Sequence, residues 1–390
     1  MREAVIVSAV RTPIGSLNGS LCGYSAPRLG SLTIEAALQR AAVSGAVVDE
    51  VIMGTVLSAG QGQAPARQAC LGADLPKSVG CLTINKVCGS GLMSVILAAQ
   101  TIHGGHAEII VAGGMESMSQ APYLVENVRA GYRMGHGKLI DSMIKDGLWD
   151  VDNDFHMGMG AELCAEEFKI SRAEQDDFAA QSYHRASMAQ RGGEFAQEIV
   201  PIKPANGSGA AIQEDEEVKK FEAVKFRSLK PAFKENGTVT AGNSSSVSDG
   251  AAAVVVMAEE SVKKLQIRPL ARIIGWCGTS REPEWFTIAP VQAISAVLTK
   301  TGFSIDDVDL FEINEAFAAA SIAVNKKLGL DSEKVNIRGG AIALGHPIGA
   351  SGARILVTLI HALRNTGKQR GIASLCIGGG EALALMVEML

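Results

Sequence analysis

The sequence predicts an α/β fold written twice, with helix-covered sheets of largely parallel strands and a long insertion in the first copy. Three observations carry that expectation. Apolar runs of strand length alternate with longer segments of helical character at both ends of the chain. Short phrases recur in the same order at the two ends: VVDEVIMG is answered by DDVDLFEIN, CGSGLMSVI by GASGARILV, and IIVAGG by SLCIGGG. The chain has 390 residues, too many for one simple core, so two or three domains are expected.

The first copy opens with the strand AVIVSAV (4–10), a long irregular loop and a helix over LTIEAALQRAAVSG (32–45). Strands follow at VIMGTV (51–56) and up to Asn85, then a turn at Cys88 running into an apolar helix, then the strand AEIIVAGG (107–114). The second copy starts with a strand at ARIIGW (271–276) and a helix over PVQAISAVLTKTG (290–302). It continues through IDDVDLFEINEAF (305–317), the turn GHPIGASGAR with its helix, and the strand GIASLCIGGG (371–380). There the triple glycine passes directly into the closing strand EALALMVEML (381–390), whereas in the first copy the matching GAAAVVVMAEE starts only after Asp249. Residues 119–248 therefore form an excursion, richer in charge and loop-like runs. Within it SRAEQDDFAAQSYHRASMAQRG (171–192) reads as a helix, because Ser171 and Glu174 have capping-box spacing and glycines end it. The division that follows is 1–118 plus 249–268 for the first half, 119–248 for an inserted loop domain, and 269–390 for the second half.

Composition narrows the class. A net charge of −5 argues against a general nucleic-acid binder. The seven cysteines form no CxxC pair and no dense framework, which favours a reducing compartment and a cytoplasmic location. No apolar run reaches ~20 residues without charge or turn signals, and Met1 leads almost directly into the first strand, so neither a membrane span nor a secretory leader is expected. No second histidine or paired cysteine lies at ligand spacing, so no metal is expected either.

The chemistry concentrates in glycine-rich turns. Cys88 opens VCGSGLMSVILAAQ, where a thiol at the mouth of a sharp turn meets the positive end of a helix, an arrangement that favours the nucleophilic thiolate. A free cysteine is ordinarily a small buried hydrophobe, and Cys22, Cys70, Cys81, Cys164 and Cys277 are read that way. His346 stands between Gly345 and Pro347, where a flexible and a rigid residue fix the ring's approach, and it can take a thiol proton near neutral pH. Cys376 ends an apolar strand before Gly378, Gly379 and Gly380; it is read either as structural or as a second reactive thiol. Backbone N–H groups of that glycine run could meet an oxyanion. Asn314 follows LFEI at a strand-to-helix junction, where N-capping competes with a catalytic hydrogen bond.

Together these pieces resemble the thiolase family over nearly the whole chain. The likeness rests on VCGSG, NEAF, GHPIGASGAR and CIGGG, with VSAVRTPIG, GGMESMS, DGLWDVDNDFHMG and TVTAGNSSSVSDGAA in the same order. It implies a duplicated thiolase fold: two helix-covered mixed sheets packed in layers, with the insertion as a loop domain over the active site. It also implies roles. Cys88 would be the acylated nucleophile and His346 its base. Cys376 would exchange a proton with the second substrate's α-carbon. Asn314 would hold a water that, with His346, stabilises an enolate oxygen, and the N–H groups of Cys88 and Gly378 would bind the acyl-enzyme oxyanion. No prosthetic group is implied; coenzyme A is substrate and product. By position-matching, His156, Met157, Phe233, Ala241, Ser245, Ala316 and Phe317 would line the pantetheine and acyl tunnel, and Lys219 heads a basic run to Lys234 that suits the phosphates of CoA. Two places depart from the family pattern: Ser246, where glycine is usual, and Met159 or Gly160, where a polar residue is usual. The segment QAPYLVENVRAGYRMGHGK resembles a loop that joins dimers into tetramers, so a homotetramer is implied. Within the family, the activity implied is acetyl-CoA C-acetyltransferase, with a broad-range degradative 3-ketoacyl-CoA thiolase as the alternative. A decarboxylating ketoacyl synthase and a non-catalytic acyl-CoA-binding protein fit less well, because Cys376 takes the place of a synthase histidine or asparagine and all three reactive groups are present.

Overall fold

The computed structural model describes residues 2–390. In chain order the first half comprises β1 (Ala4–Arg11), α1 (Ala26–Ala41), β2 (Glu50–Gly54), α2 (Pro65–Gly72), β3 (Gly80–Ile84), α3 (Ser90–His103) and β4 (Ile109–Ser117). The insertion carries α4 (Met157–Glu167) and α5 (Arg172–Arg191), and the chain rejoins the sheet as β5 (Ser248–Ala258). The second half runs β6 (Ala271–Ser280), α6 (Ala289–Thr301), β7 (Leu310–Ile313), α7 (Ala318–Leu328), α8 (Ile348–Thr366), β8 (Arg370–Ile377) and β9 (Glu381–Met389).

The duplication is visible in the strand order, β7-β8-β9-β6-β1-β5-β4-β2-β3, in which each half repeats one arrangement in mirror sequence. Even the second half's missing counterpart of β3 survives as a parallel bridge between Phe311 and Val335. The sheet is mixed, as the family resemblance implies, and less parallel than strand–helix alternation suggests: parallel ladders are confined to β2 with β3, β2 with β4, and β7 with β8, and the remaining ladders are antiparallel. The closing strand of each half inserts beside its opening strand, which a strand–helix alternation alone does not reveal. The two sheets also join edge to edge, where Val5 and Ile6 pair with Arg272 and Ala271, giving one sheet of ten strands when the two-residue strand Gly15–Ser16, paired to the start of β5 outside that order, is included.

Side chains alternate across the strands and so define the layers. Along β5, Ala252, Val254 and Val256 face a core shared with α3 and α8, whereas Ala253, Val255 and Met257 face a separate core with α1 and α2. The second half covers its outer face with α6. The layering is helix, sheet, paired helices, sheet, helix. At the centre α3 and α8 cross in backbone contact: a Cβ at Gly91 would lie 2.7 Å from the Ala353 nitrogen, and one at Gly352 would overlap the Leu92 nitrogen. Only glycine permits that approach, which brings the N-terminal ends of both helices to one place.

Helix α1 begins six residues before the expected start, because Ser25 caps it through the Arg28 N–H and Pro27 sits in its first turn. Helix α2, short and started by Pro65, was not anticipated. Helix α5 has the expected capping box: the Glu174 N–H donates to Ser171 Oγ at 3.2 Å, and the Ser171 N–H donates to Glu174 Oε2 at 2.8 Å.

Candidate active site

Cys88 follows Val87, which is held at φ 46°, a left-handed conformation unfavourable for a β-branched residue. Several bonds impose it. The Val87 N–H donates to Asn85 Oδ1 at 2.9 Å, the Lys86 N–H to Ser90 Oγ at 2.9 Å, and the Ser90 hydroxyl to the Val87 carbonyl at 2.6 Å. The turn thus presents the thiol at the start of α3. Burial nevertheless pushes the Cys88 thiol up to about 11, outweighing the N–H groups of Gly378 and Cys88 that face the sulfur and favour its thiolate. The expectation of a thiolate favoured by the helix end is therefore corrected: at rest the group is a thiol, and it needs a base.

His346 is buried and supplies one. Its Nδ1 lies 2.5 Å from Ser351 Oγ, and the Ser351 hydroxyl donates to the Pro347 carbonyl at 2.9 Å. With its proton committed there, Ser351 accepts from Nδ1–H, which leaves the lone pair on Nε2. Burial, with the Arg354 charge adding to it, holds the ring's pKa down at about 3, so the imidazole is neutral. Asn314 Nδ2 lies 3.4 Å from Nε2, and Asn314 Oδ1 has no hydrogen-bond partner among the described residues. Asn314 does not cap α7, which starts at Ala318 with no side-chain cap; its N–H is spent on the Ser374 carbonyl at 3.0 Å. That decides against the capping alternative.

Cys376 is the penultimate residue of β8, and burial, followed by the proximity of Cys88, pushes its thiol well above the usual range. It shares one cavity of about 480 Å³ with Cys88, His346 and Gly378. His156, Met157, Phe233, Ala241, Ser245, Ala316 and Phe317 line the same cavity. His156 accepts the Gly158 N–H on Nδ1 at 3.0 Å, capping α4, and stacks on Phe233 at 4.8 Å between ring centroids. Ser246 also lines the wall, and its carbonyl accepts the His346 N–H at 3.0 Å. Gly160 lies behind the wall, where a Cβ would come within 2.6 Å of the Phe286 ring. Lys219 is the exception: it is exposed, ion-pairs with Glu214 and does not reach the cavity. The adjoining recess is instead flanked by Lys220 and Lys225 and shares Glu217 and Ala241 with the main cavity.

Sequence reasoning passed over several residues that matter here. Ser351 lay inside the quoted GASGAR without a role, and Glu116 lay inside GGMES. Val87, Phe286 and Ile348 also line the cavity, and nothing in their local pattern separates them from core. Among the described residues no cluster of three or more His, Cys, Asp or Glu is placed to hold a metal.

A strained cysteine elbow, a neutral imidazole with its free nitrogen turned to an amide, and a second thiol in the same apolar cavity suit transfer of an acyl group through a thioester. The protein is an acyltransferase. Family models agree in detail: one for the thiolase N-terminal domain matches residues 4–260, and one for the thiolase C-terminal domain matches residues 267–389. The chain belongs to the thiolase family. Acetyl-CoA acetyltransferase 2 of Arabidopsis thaliana is 52% identical over 393 residues, covering 100% of this chain and 98% of its own. Acetyl-CoA acetyltransferase of Cupriavidus necator is 52% identical over 391 residues, covering both chains fully. Among solved structures, Bacillus anthracis acetyl-CoA acetyltransferase superposes with a TM-score of 0.97 at 42% identity, covering 100% of this chain and 99% of its own. Acat5 thiolase from Ascaris suum, solved in complex with coenzyme A, gives 0.95 at 41% identity with both chains fully covered.

Proposed function

We propose that the protein catalyses the reversible condensation of two acetyl-CoA to acetoacetyl-CoA and CoA, as an acetyl-CoA C-acetyltransferase. The observation that carries this reading is the pairing of two thiols with one neutral imidazole in a single cavity. His346 Nε2 takes the Cys88 proton as the sulfur attacks acetyl-CoA, and the N–H groups of Cys88 and Gly378 receive the oxyanion. Cys376 gives its proton to the departing CoA sulfur, so the acetyl group stays on Cys88, His346 keeps the Cys88 proton and Cys376 becomes a thiolate. That thiolate takes the α-proton of a second acetyl-CoA, while the Nε2–H of His346 and a water held by Asn314 donate to the enolate oxygen. The enolate carbon then attacks the acetyl carbonyl, the C–S bond breaks, and Cys88 leaves as a thiolate that recovers its proton from His346. Preorganised donors at such oxygens are worth ~3–4 kcal/mol each in the transition state.

Pantetheine would lie between Met157, Phe233, Ala316 and Phe317, with the nucleotide phosphates toward Lys220 and Lys225. The division at 118/119 and 248/249, with residues 119–248 as a loop domain over the site, belongs to the same reading. So does assembly as a homotetramer: Tyr123 (63% exposed), Met134 (95%) and Leu139 (73%) leave large apolar side chains exposed along one segment of the insertion, which a partner subunit would cover. We place the enzyme in the cytoplasm, a reading that the seven unpaired cysteines support; no helix among the described residues is long and apolar enough to cross a membrane.

Mass spectrometry after mixing with acetyl-CoA tests the chemistry. An acetyl adduct mapped to Cys88 is expected, and its absence would remove the acyl-enzyme step. Specificity constants for acetoacetyl-CoA against six- to ten-carbon 3-ketoacyl-CoA test the substrate, since comparable values would overturn the narrow range.

A further inference from the structure

Glu116 is the penultimate residue of β4, an inner strand of the first half, and is wholly buried. Its carboxylate accepts four hydrogen bonds. Oε2 takes the Val56 N–H at 2.9 Å and the Gly349 N–H at 2.9 Å, and Oε1 takes the Leu57 N–H at 3.2 Å and the Thr55 hydroxyl at 3.1 Å. Three of the four partners are backbone N–H groups, which can only donate, and the fourth is a hydroxyl that can donate too, so the pocket is matched to a carboxylate and not to an amide. No lysine, arginine or histidine among the described residues forms an ion pair with it. Burying an unpaired charge is costly, and burial raises the group to about 7 against the pull of these bonds.

The partners explain the charge. Gly349 is the second residue of α8, whose N-cap is Pro347 and which has no side-chain cap of its own. Glu116 supplies that cap from the other half of the molecule, where a negative charge also suits the helix end. Val56 and Leu57 belong to the loop after β2, and their side chains, with Ile348, share one apolar cluster with Cys88. His346 lies just upstream of the capped turn. There is no slack at the joint, since a Cβ at Gly349 would lie 2.6 Å from Glu116 Oε2 and 2.8 Å from the Thr55 Cα.

We propose that Glu116 is a positioning residue for acyl transfer: as a carboxylate it clamps the base-bearing segment of the second half onto the loop beside Cys88, and so sets the approach of His346 to the thiol. The inference rests on the acyl-transfer reading above. Glu116 does not line the cavity and touches no reacting atom. The proposed effect is exerted through geometry, where a displacement of ~1 Å costs on the order of a hundredfold; the charge itself works the other way, since it adds to the burial that pushes the Cys88 thiol up.

The test is single-turnover acetylation of Cys88 by acetyl-CoA, quenched and read by intact-protein mass spectrometry, with KM and a thermal melt for each variant. Glu116→Gln keeps the volume but turns an NH2 toward N–H groups, and its acetylation should slow roughly 30- to 100-fold with KM within threefold of wild type. Glu116→Asp, which keeps the charge on a shorter arm, should recover part of that loss. Thr55→Val removes one donor and leaves the carboxylate and three backbone N–H groups, so it should fold normally and slow acetylation about 2- to 5-fold. A purely structural carboxylate would lower the melting temperature without changing the rate per folded site. Acetylation by Glu116→Gln within twofold of wild type would overturn the inference. Should that variant fail to fold, an unchanged rate in Thr55→Val would overturn it instead. A wild-type protein that takes no acetyl group would overturn the acyl-transfer reading and this inference together, whereas equal rates in an acetylated series overturn this inference alone.

Discussion

Replacing Ser351 by alanine isolates the hydroxyl behind the base. When His346 takes the Cys88 proton, the ring becomes an imidazolium inside a site whose surroundings already hold its pKa near 3. The group that bonds its second nitrogen is not a carboxylate but Ser351 Oγ, at 2.5 Å. A hydrogen bond to a charged group is worth ~1.5–3 kcal/mol, and each ~1.4 kcal/mol is tenfold in rate, so acetylation of Ser351→Ala should slow roughly 10- to 150-fold. Ser351 is not on the cavity wall, so KM for acetyl-CoA should stay within threefold. Loss of its neutral bond to the Pro347 carbonyl should lower stability by only ~1 kcal/mol. Rapid-quench acetylation, steady-state thiolysis of acetoacetyl-CoA and a thermal melt on one preparation separate these quantities. Acetylation within threefold of wild type, or a loss carried by KM and not kcat, would refute the tautomer argument.

Three further outcomes are expected. Cys88→Ala should abolish both acetylation and turnover, whereas Cys376→Ala should still be acetylated on Cys88 but fail to condense, with Cys376→Ser retaining a trace; an acetyl group found on Cys376 of the wild type would reverse these roles. Burial raises the Cys88 thiol to about 11, so its alkylation by iodoacetamide in the absence of substrate should keep rising with pH between 7 and 10; a plateau below pH 8 would mean that the resting group is a thiolate. Gly352→Ala puts a Cβ against the Leu92 nitrogen and should cost ~1–3 kcal/mol of stability by overpacking, measured by thermal or denaturant unfolding; an unchanged midpoint would show that the helix crossing has room to give.

Much of the site was legible because chemistry-bearing residues sit in turns, where glycine and proline leave a strong local signal. Cys88, His346, Cys376 and Gly378 could be picked from such turns before their partners were known. Asn314 could not be settled locally, since a strand-to-helix junction is equally the place for a cap, and only the start of α7 at Ala318 decided it. Lys219 was misplaced for a related reason. A basic run names a charged face but not which lysine turns inward, and Glu214 claims this one. The mixed character of the sheet was legible only through the family resemblance and not from strand–helix alternation, because strand direction is set by which edge the closing strand joins, a tertiary choice with no periodic trace. Glu116 and Ser351 were illegible in their roles, as each acts through a residue far away in sequence or through a single hydroxyl orientation.

The duplication explains why these parts meet at all. In the aligned phrases Ser90 corresponds to Ser351, and Gly91 to Gly352. Both glycines stand at the crossing of α3 and α8, so the packing that joins the halves also sets their two turns face to face. Each serine hydroxyl reaches back to a carbonyl of its own turn, Ser90 to Val87 and Ser351 to Pro347. What each oxygen accepts differs. In the first half it takes the Lys86 backbone N–H and stiffens the elbow that presents the thiol; in the second it takes the ring N–H of His346 and fixes the base. One structural position thus serves the nucleophile in one copy and the base in the other. A single copy would hold one or the other, and only two copies packed glycine to glycine can place a thiol and the imidazole that deprotonates it in the same cavity.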